Sequence, residues 1–86
     1  MSKPLRRNKP LDQLTADELD AAASRNERLV AMHDLLGFED RYGEYRTMRL
    51  VALGLRAMGG LRRANPNAEW AWIVEATRAA VAGASP

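Results

Sequence analysis

The chain is 86 residues long, which allows a single domain with a marginal core, since a folded chain of this size buries only about 60% of the surface its unfolded form exposes. It holds no cysteine and one histidine, His33, which excludes disulfides, Cys-based zinc sites, iron–sulfur clusters and thiol nucleophiles and leaves association with another chain as the open means of reinforcement. The formal net charge of +2 hides a division: Lys3, Arg6, Arg7 and Lys9 all precede the first acid, Asp12, and the remainder holds more acids than bases.

Residues 1–14 contain Pro4 and Pro10 and show no helical period. Proline limits helix formation and biases the residue before it toward extended backbone, so this segment is expected to be an extended basic arm. Its four bases, Lys3, Arg6, Arg7 and Lys9, are candidates for gripping nucleic-acid phosphate or an acidic protein surface; the competing reading is a solvated tail. No apolar run of signal-peptide length follows the basic start, and no stretch approaches the roughly 20 apolar residues of a membrane span. The expected location is therefore cytoplasmic, or virion-associated for a phage gene. A bacterial or phage origin suits the Ala- and Arg-rich composition, in which Lys occurs only at Lys3 and Lys9.

The first helix is announced by Thr15-Ala16-Asp17-Glu18, the pattern of a capping box, with acids where the positive end of the helix dipole favours them. Leu19, Ala22, Asn26, Leu29, His33 and Leu36 follow at spacings of three and four and share a face that Ala23 and Val30 widen. Gly37 is the expected stop. Asn26 and His33 read as polar residues with partners at the edge of a small core, or as a pair that fixes register.

The second helix is expected from near Glu39-Asp40 to Met58, ended by Gly59-Gly60. Tyr45, Met48, Val51, Ala52, Leu55 and Met58 form one apolar face, and Leu50, Leu53 and Ala57 a second stripe. A helix that is apolar on two sides needs two neighbours. Gly54 inside it either admits a close helix or weakens the element. Leu61, Arg62 and Arg63 are expected in a loop reaching Pro66, and Asn67 is the expected N-cap of a third helix over residues 68–82, stopped by Gly83. Trp70, Ile73, Val74, Thr77, Ala80 and Val81 form its packing face.

The fold expected is therefore all-α: a small three-helix bundle over residues 15–83, preceded by the basic arm at 1–14 and followed by a short tail at 84–86. Its core is either closed by one chain or completed by oligomerisation. Candidate partner-binding residues are Tyr42, Arg46, Arg49, Leu53 and Arg56 on the second helix, Arg62 and Arg63 beyond it, and Trp72, which points away from the face of Trp70 and Ile73. Arginine beside aromatic side chains suits protein interfaces and nucleic-acid surfaces. Against this, Asp20, Glu27 and Asp34 recur every seven residues on a flank of the first helix and offer the arginines partners inside the chain, with Arg62 and Arg63 the least expected to be used that way. Helix-turn-helix DNA readout through the short turn Leu36-Gly37-Phe38 is disfavoured by Glu39, Asp40 and Glu44 at the end that would approach phosphate. No phosphate loop, paired-histidine metal motif or nucleophile elbow is present in the sequence.

These features favour a non-catalytic protein-interaction or assembly module of adaptor or inhibitor type, without cofactor, metal, membrane or small-molecule substrate, that binds another protein and also itself. The alternative is a nucleic-acid-binding regulator acting through the arm and Arg62 and Arg63.

Overall fold

The computed structural model describes residues 9–84, which form an all-α bundle of three helices with no strand: α1 (Ala16–Leu36), α2 (Glu44–Ala64) and α3 (Trp70–Ala84). The 3-10 turn Leu11–Gln13 precedes them, so the last part of the expected arm is coiled rather than extended. Lys3, Arg6 and Arg7 lie outside the described residues.

The ends of α1 follow the local chemistry of the sequence. Thr15 accepts from the Glu18 backbone N–H, and Glu18 accepts in return from the Thr15 N–H at 3.0 Å. Gly37 closes the helix in the left-handed conformation, φ 69°, where the absence of a Cβ removes the steric penalty.

The second helix departs from expectation at both ends. It begins at Glu44 rather than near Glu39-Asp40, and its cap comes from a distance: both Asp40 carboxylate oxygens accept backbone N–H groups, from Tyr45 and from Arg46. Gly43, at φ 69°, turns the chain between them. The link from α1 is thus residues 37–43, not the tight turn Leu36-Gly37-Phe38. At the other end α2 runs straight through Gly59 and Gly60 to Ala64, so Leu61, Arg62 and Arg63 are helical. Gly59 is buried where α2 crosses the start of α1, and a Cβ there would sit 2.6 Å from Asp20 Oδ1 and 3.3 Å from the Ala16 carbonyl oxygen. It marks a close approach, not a stop. The third helix starts at Trp70, two residues later than expected, and continues past Gly83 to Ala84; Asn67 lies in the preceding turn.

Leu19 and Ala23 of α1, Leu55 and Met58 of α2 and Ile73 of α3 form the core, with Leu14, Ala22, Leu61, Ala68 and Trp70 packed around it. The core sits at one end of the molecule, where the start of α1, the end of α2 and the start of α3 meet. Elsewhere α2 packs on both of its neighbours, whereas α1 and α3 share no extended interface among the described residues. The outcome is a splayed layer of 49 × 42 × 18 Å. Its Cα radius of gyration is 14.8 Å, against about 12 Å for a compact chain of this length. No helix of the described residues is long and apolar enough to cross a membrane.

Candidate functional site

The two long helices run antiparallel, and their pairing is written in charge on one flank. Arg49 donates to Asp34, Arg56 to Glu27, and Arg63 to Asp20 at 2.8 Å. Each set repeats every seven residues, so the rungs fall at one constant register. Arg56 also donates to Ser24 and stands 3.9 Å from Asp20, and Arg63 adds a contact of 2.8 Å to Asp17. These two carboxylates raise the affinity of the Arg63 guanidinium for its proton above its ordinary value, Asp20 most strongly. Such exposed pairs contribute little to stability, but they occupy the arginines.

Arg49, Arg56 and Arg63 are therefore engaged within the chain, and Arg63, least expected to be used so, has two acid partners. Arg62 lies 5.7 Å from the Trp70 ring centroid and donates to the Asp12 carbonyl, tying the 3-10 turn to the end of α2. Lys9, counted with the basic arm, pairs with Glu18 at 3.1 Å. Arg46 makes no ion pair among the described residues.

The remaining candidates do not converge on one site. Tyr42 lines a shallow hollow in the α1–α2 connection with Glu39, Asp40 and Tyr45. Leu53 lies beside Arg49 in a second hollow, floored by Val30, Ala31 and Ala52 between two rungs of the ladder. Trp72 lies in a third, with Asn65, Ala68 and Glu69, and is 48% exposed. The second stripe of α2 is uncovered as well, with both Leu50 and Leu53 exposed.

The apolar face expected on α1 divides in two. Leu19, Ala23, Val30 and His33 are buried, but Leu29 and Leu36 are 51% and 55% exposed, and Met32 between them is 54% exposed. Leu29, Met32 and Leu36 follow one another at three and four residues, an apolar seam beside the buried one. Sequence reasoning assigned Leu29 and Leu36 to the core and passed over Met32. The signal was present in the 29/32/36 spacing, but a periodicity cannot say which of two adjacent seams the chain covers.

His33 is only 7% exposed. Its ring stacks on Tyr45 with centroids 3.8 Å apart and meets the edge of Phe38 at 6.4 Å. Neither ring nitrogen has a hydrogen-bond partner among the described residues; Asp34 Oδ1, 3.7 Å from Nδ1, is beyond hydrogen-bond reach. The expectation that His33 is a satisfied polar residue is thus corrected. Asn26 is half-buried. No group of three or more His, Asp or Glu side chains among the described residues is placed to hold a metal ion.

Comparison with known proteins finds no matching family model, no similar curated protein and no similar solved structure.

Proposed function

We propose that the chain is a non-catalytic helical interaction module, an adaptor or inhibitor that binds another protein through apolar helix faces. The observation that carries this reading is the amount of apolar side chain left in water on a frame that is otherwise well finished. The start of α1 is capped, α2 is capped by Asp40, and the arginine ladder is neutralised within the chain. Yet Leu29, Met32, Leu36, Leu50, Leu53 and Trp72 remain exposed. Leu29, Met32 and Leu36 adjoin one another on one seam, and contiguous exposed apolar surface marks a place where a partner binds. Apolar contacts would supply affinity, while the rim charges, Arg46 among them, would set orientation. The bacterial or phage setting and a cytoplasmic or virion-borne location belong to the same proposal.

The test is capture of protein partners from a bacterial lysate on immobilised full-length chain, compared with Trp72→Ala and Leu53→Glu. Both positions are exposed, so the variants should keep their helical circular dichroism while losing the captured protein about tenfold or more. In parallel, fluorescently labelled duplex DNA and RNA are titrated at about 50 and 200 mM salt. Tight nucleic-acid binding with a steep salt slope, abolished by deleting residues 1–10, would overturn the reading in favour of a nucleic-acid-binding regulator. Arg62 and Arg63 supply little toward that rival, since both already contact protein groups.

A further inference from the structure

From the open seam of α1 we infer that the chain associates with a second copy of itself, two α1 helices packing antiparallel across a two-fold axis at Met32. This rests on the interaction-module reading and gives one of its faces an occupant.

The hairpin of α1 and α2 has two flanks. One carries the ion-pair ladder. On the other, Ala22, Leu29 and Leu36 recur every seven residues along α1, and Ala22 packs against the core cluster that holds Met58. Ile73 of α3 closes the Ala22–Met58 level into the core. α3 then diverges from α1 and follows α2, where Val81 Cγ2 comes within 3.9 Å of a Cβ built on Gly54. The next level is left open, with Leu29 51% and Val51 45% exposed. The surface wanted there is a helix with an apolar seam.

The seam of α1 is complementary to itself. With the axis at Met32, Leu29 of each copy meets Leu36 of the other, and Met32 meets Met32. Such a pairing is isologous and closes at two copies. The charges agree with it. Arg25 and Arg28 lie at one end of the open seam and make no ion pair among the described residues. Glu39, Asp40 and Glu44 lie beyond the other end, with two bases beside them, Arg41, which pairs with Glu39, and Arg46, which stands close to Asp40, so that acids exceed bases there by one. Antiparallel packing brings the basic end of each copy against the acidic end of the other. Leu29, Met32, Leu36 and Val51 offer roughly 400 Å² of apolar surface per copy, so a pair with its polar rim reaches about 1,000 Å², the lower bound for a specific interface.

The decisive experiment is sedimentation equilibrium of the full chain up to roughly 100 μM, where most chains are paired for a Kd of about 1 μM. The expected mass is that of two 9.6 kDa chains. Met32→Glu, which opposes two carboxylates on the axis, should give single chains with unchanged helical circular dichroism. The absence of native cysteine permits a second measurement: Met32→Cys should form an intermolecular disulfide under mild oxidation, and Arg78→Cys on α3 should not. Single chains throughout, a dimer that survives Met32→Glu, or equal cross-linking of the two cysteine variants would overturn the inference. A wild-type monomer that still captures a protein in a manner dependent on Trp72 or Leu53 would overturn the self-association alone and leave the interaction-module reading in place.

Discussion

At the scale of single residues, His33 presents the sharpest conflict between chemistry and place. An imidazole has two nitrogens that bond to water in the unfolded chain, and here both are buried without a partner among the described residues. Leaving a buried polar group unsatisfied costs about 1–3 kcal/mol, whereas an apolar group of similar size at the same place carries no such cost. The stack on Tyr45 offsets part of it. His33→Leu is therefore expected to stabilise the fold by about 1 kcal/mol, read as a higher midpoint in urea with an unchanged slope. Destabilisation of that size would mean that the aromatic stack outweighs the missing hydrogen bonds. Asp40 shows the opposite balance. Its carboxyl is held below the ordinary value of 3.8 mainly by the Tyr45 backbone N–H, with the Arg46 N–H adding to it. Glu18 is held below 4.5 by the Thr15 backbone N–H first and then by Lys9. A depressed carboxylate stabilises the fold above its unfolded-state value, and that contribution disappears as pH falls through the lower folded-state value. Asp40→Asn should lower the melting temperature at pH 7, with the gap from wild type closing progressively below about pH 3.8. A gap that stays constant down to pH 2 would show that the charge of Asp40 does not matter.

At the scale of the elements, legibility followed how local the cause was. The start of α1 was readable because Thr15 and Glu18 satisfy each other within one turn, and its end because Gly37 needs only its own backbone freedom. The start of α2 was not, because Asp40 caps from several residues upstream and reaches Tyr45 and Arg46 only once Gly43 has turned the chain. Gly59-Gly60 misled for a related reason: glycine is a poor helix former, and Gly59 inside a helix is explained only by a neighbour that sequence does not display, while Gly60 faces open space. Ending α2 there also hid the third rung of the ladder, since Arg49, Arg56 and Arg63 repeat every seven residues just as Asp20, Glu27 and Asp34 do. The same holds for the candidate site. Its arginines were identifiable as a charged stripe, but that the chain itself occupies them depends on a helix–helix register. That register has an instructive source. Sliding α2 by seven residues would still leave Arg49 opposite Glu27 and Arg56 opposite Asp20, so charge does not fix the alignment alone. A slid register would also lose the close crossing of Gly59 over the Ala16 carbonyl, 3.3 Å from where a Cβ would sit. Three substitutions test this. Gly60→Ala meets open space and Gly54→Ala meets only Val81 at 3.9 Å, so each should gain about 0.5–1 kcal/mol from helix propensity. Gly59→Ala should lose stability despite the same gain in propensity. If all three stabilise equally, the crossing is not tight and Gly59 does not set the register.

At the scale of the whole molecule, stability and assembly become one question. The three helices meet fully at one end only, and Ile73, wholly buried there, is the residue of α3 that joins the main core cluster. Ile73→Ala should cost about 2–5 kcal/mol. For a chain of this length, with total stability on the order of 4–13 kcal/mol, that is enough to release α3 or unfold the domain, and far-UV circular dichroism with urea melts will show which. The far end, where the last turns of α1 stand beside the first turns of α2, has no third helix over its seam among the described residues. A second copy packed on that seam binds the folded chain and not the unfolded one, so mass action must add to the apparent stability. The melting temperature should then rise by several degrees between low and high micromolar protein, whereas Met32→Glu should melt at one temperature across that range, close to the dilute wild type. The core end supplies the control: where Ile73→Ala releases α3 but leaves α1 and α2 folded, the melting temperature falls and its dependence on concentration stays, because the seam of α1 lies away from the core cluster. A wild-type melting temperature that is flat over a hundredfold change in concentration would mean that the splayed layer is stable alone. The exposed leucines and methionine would then be surface held open for a different protein.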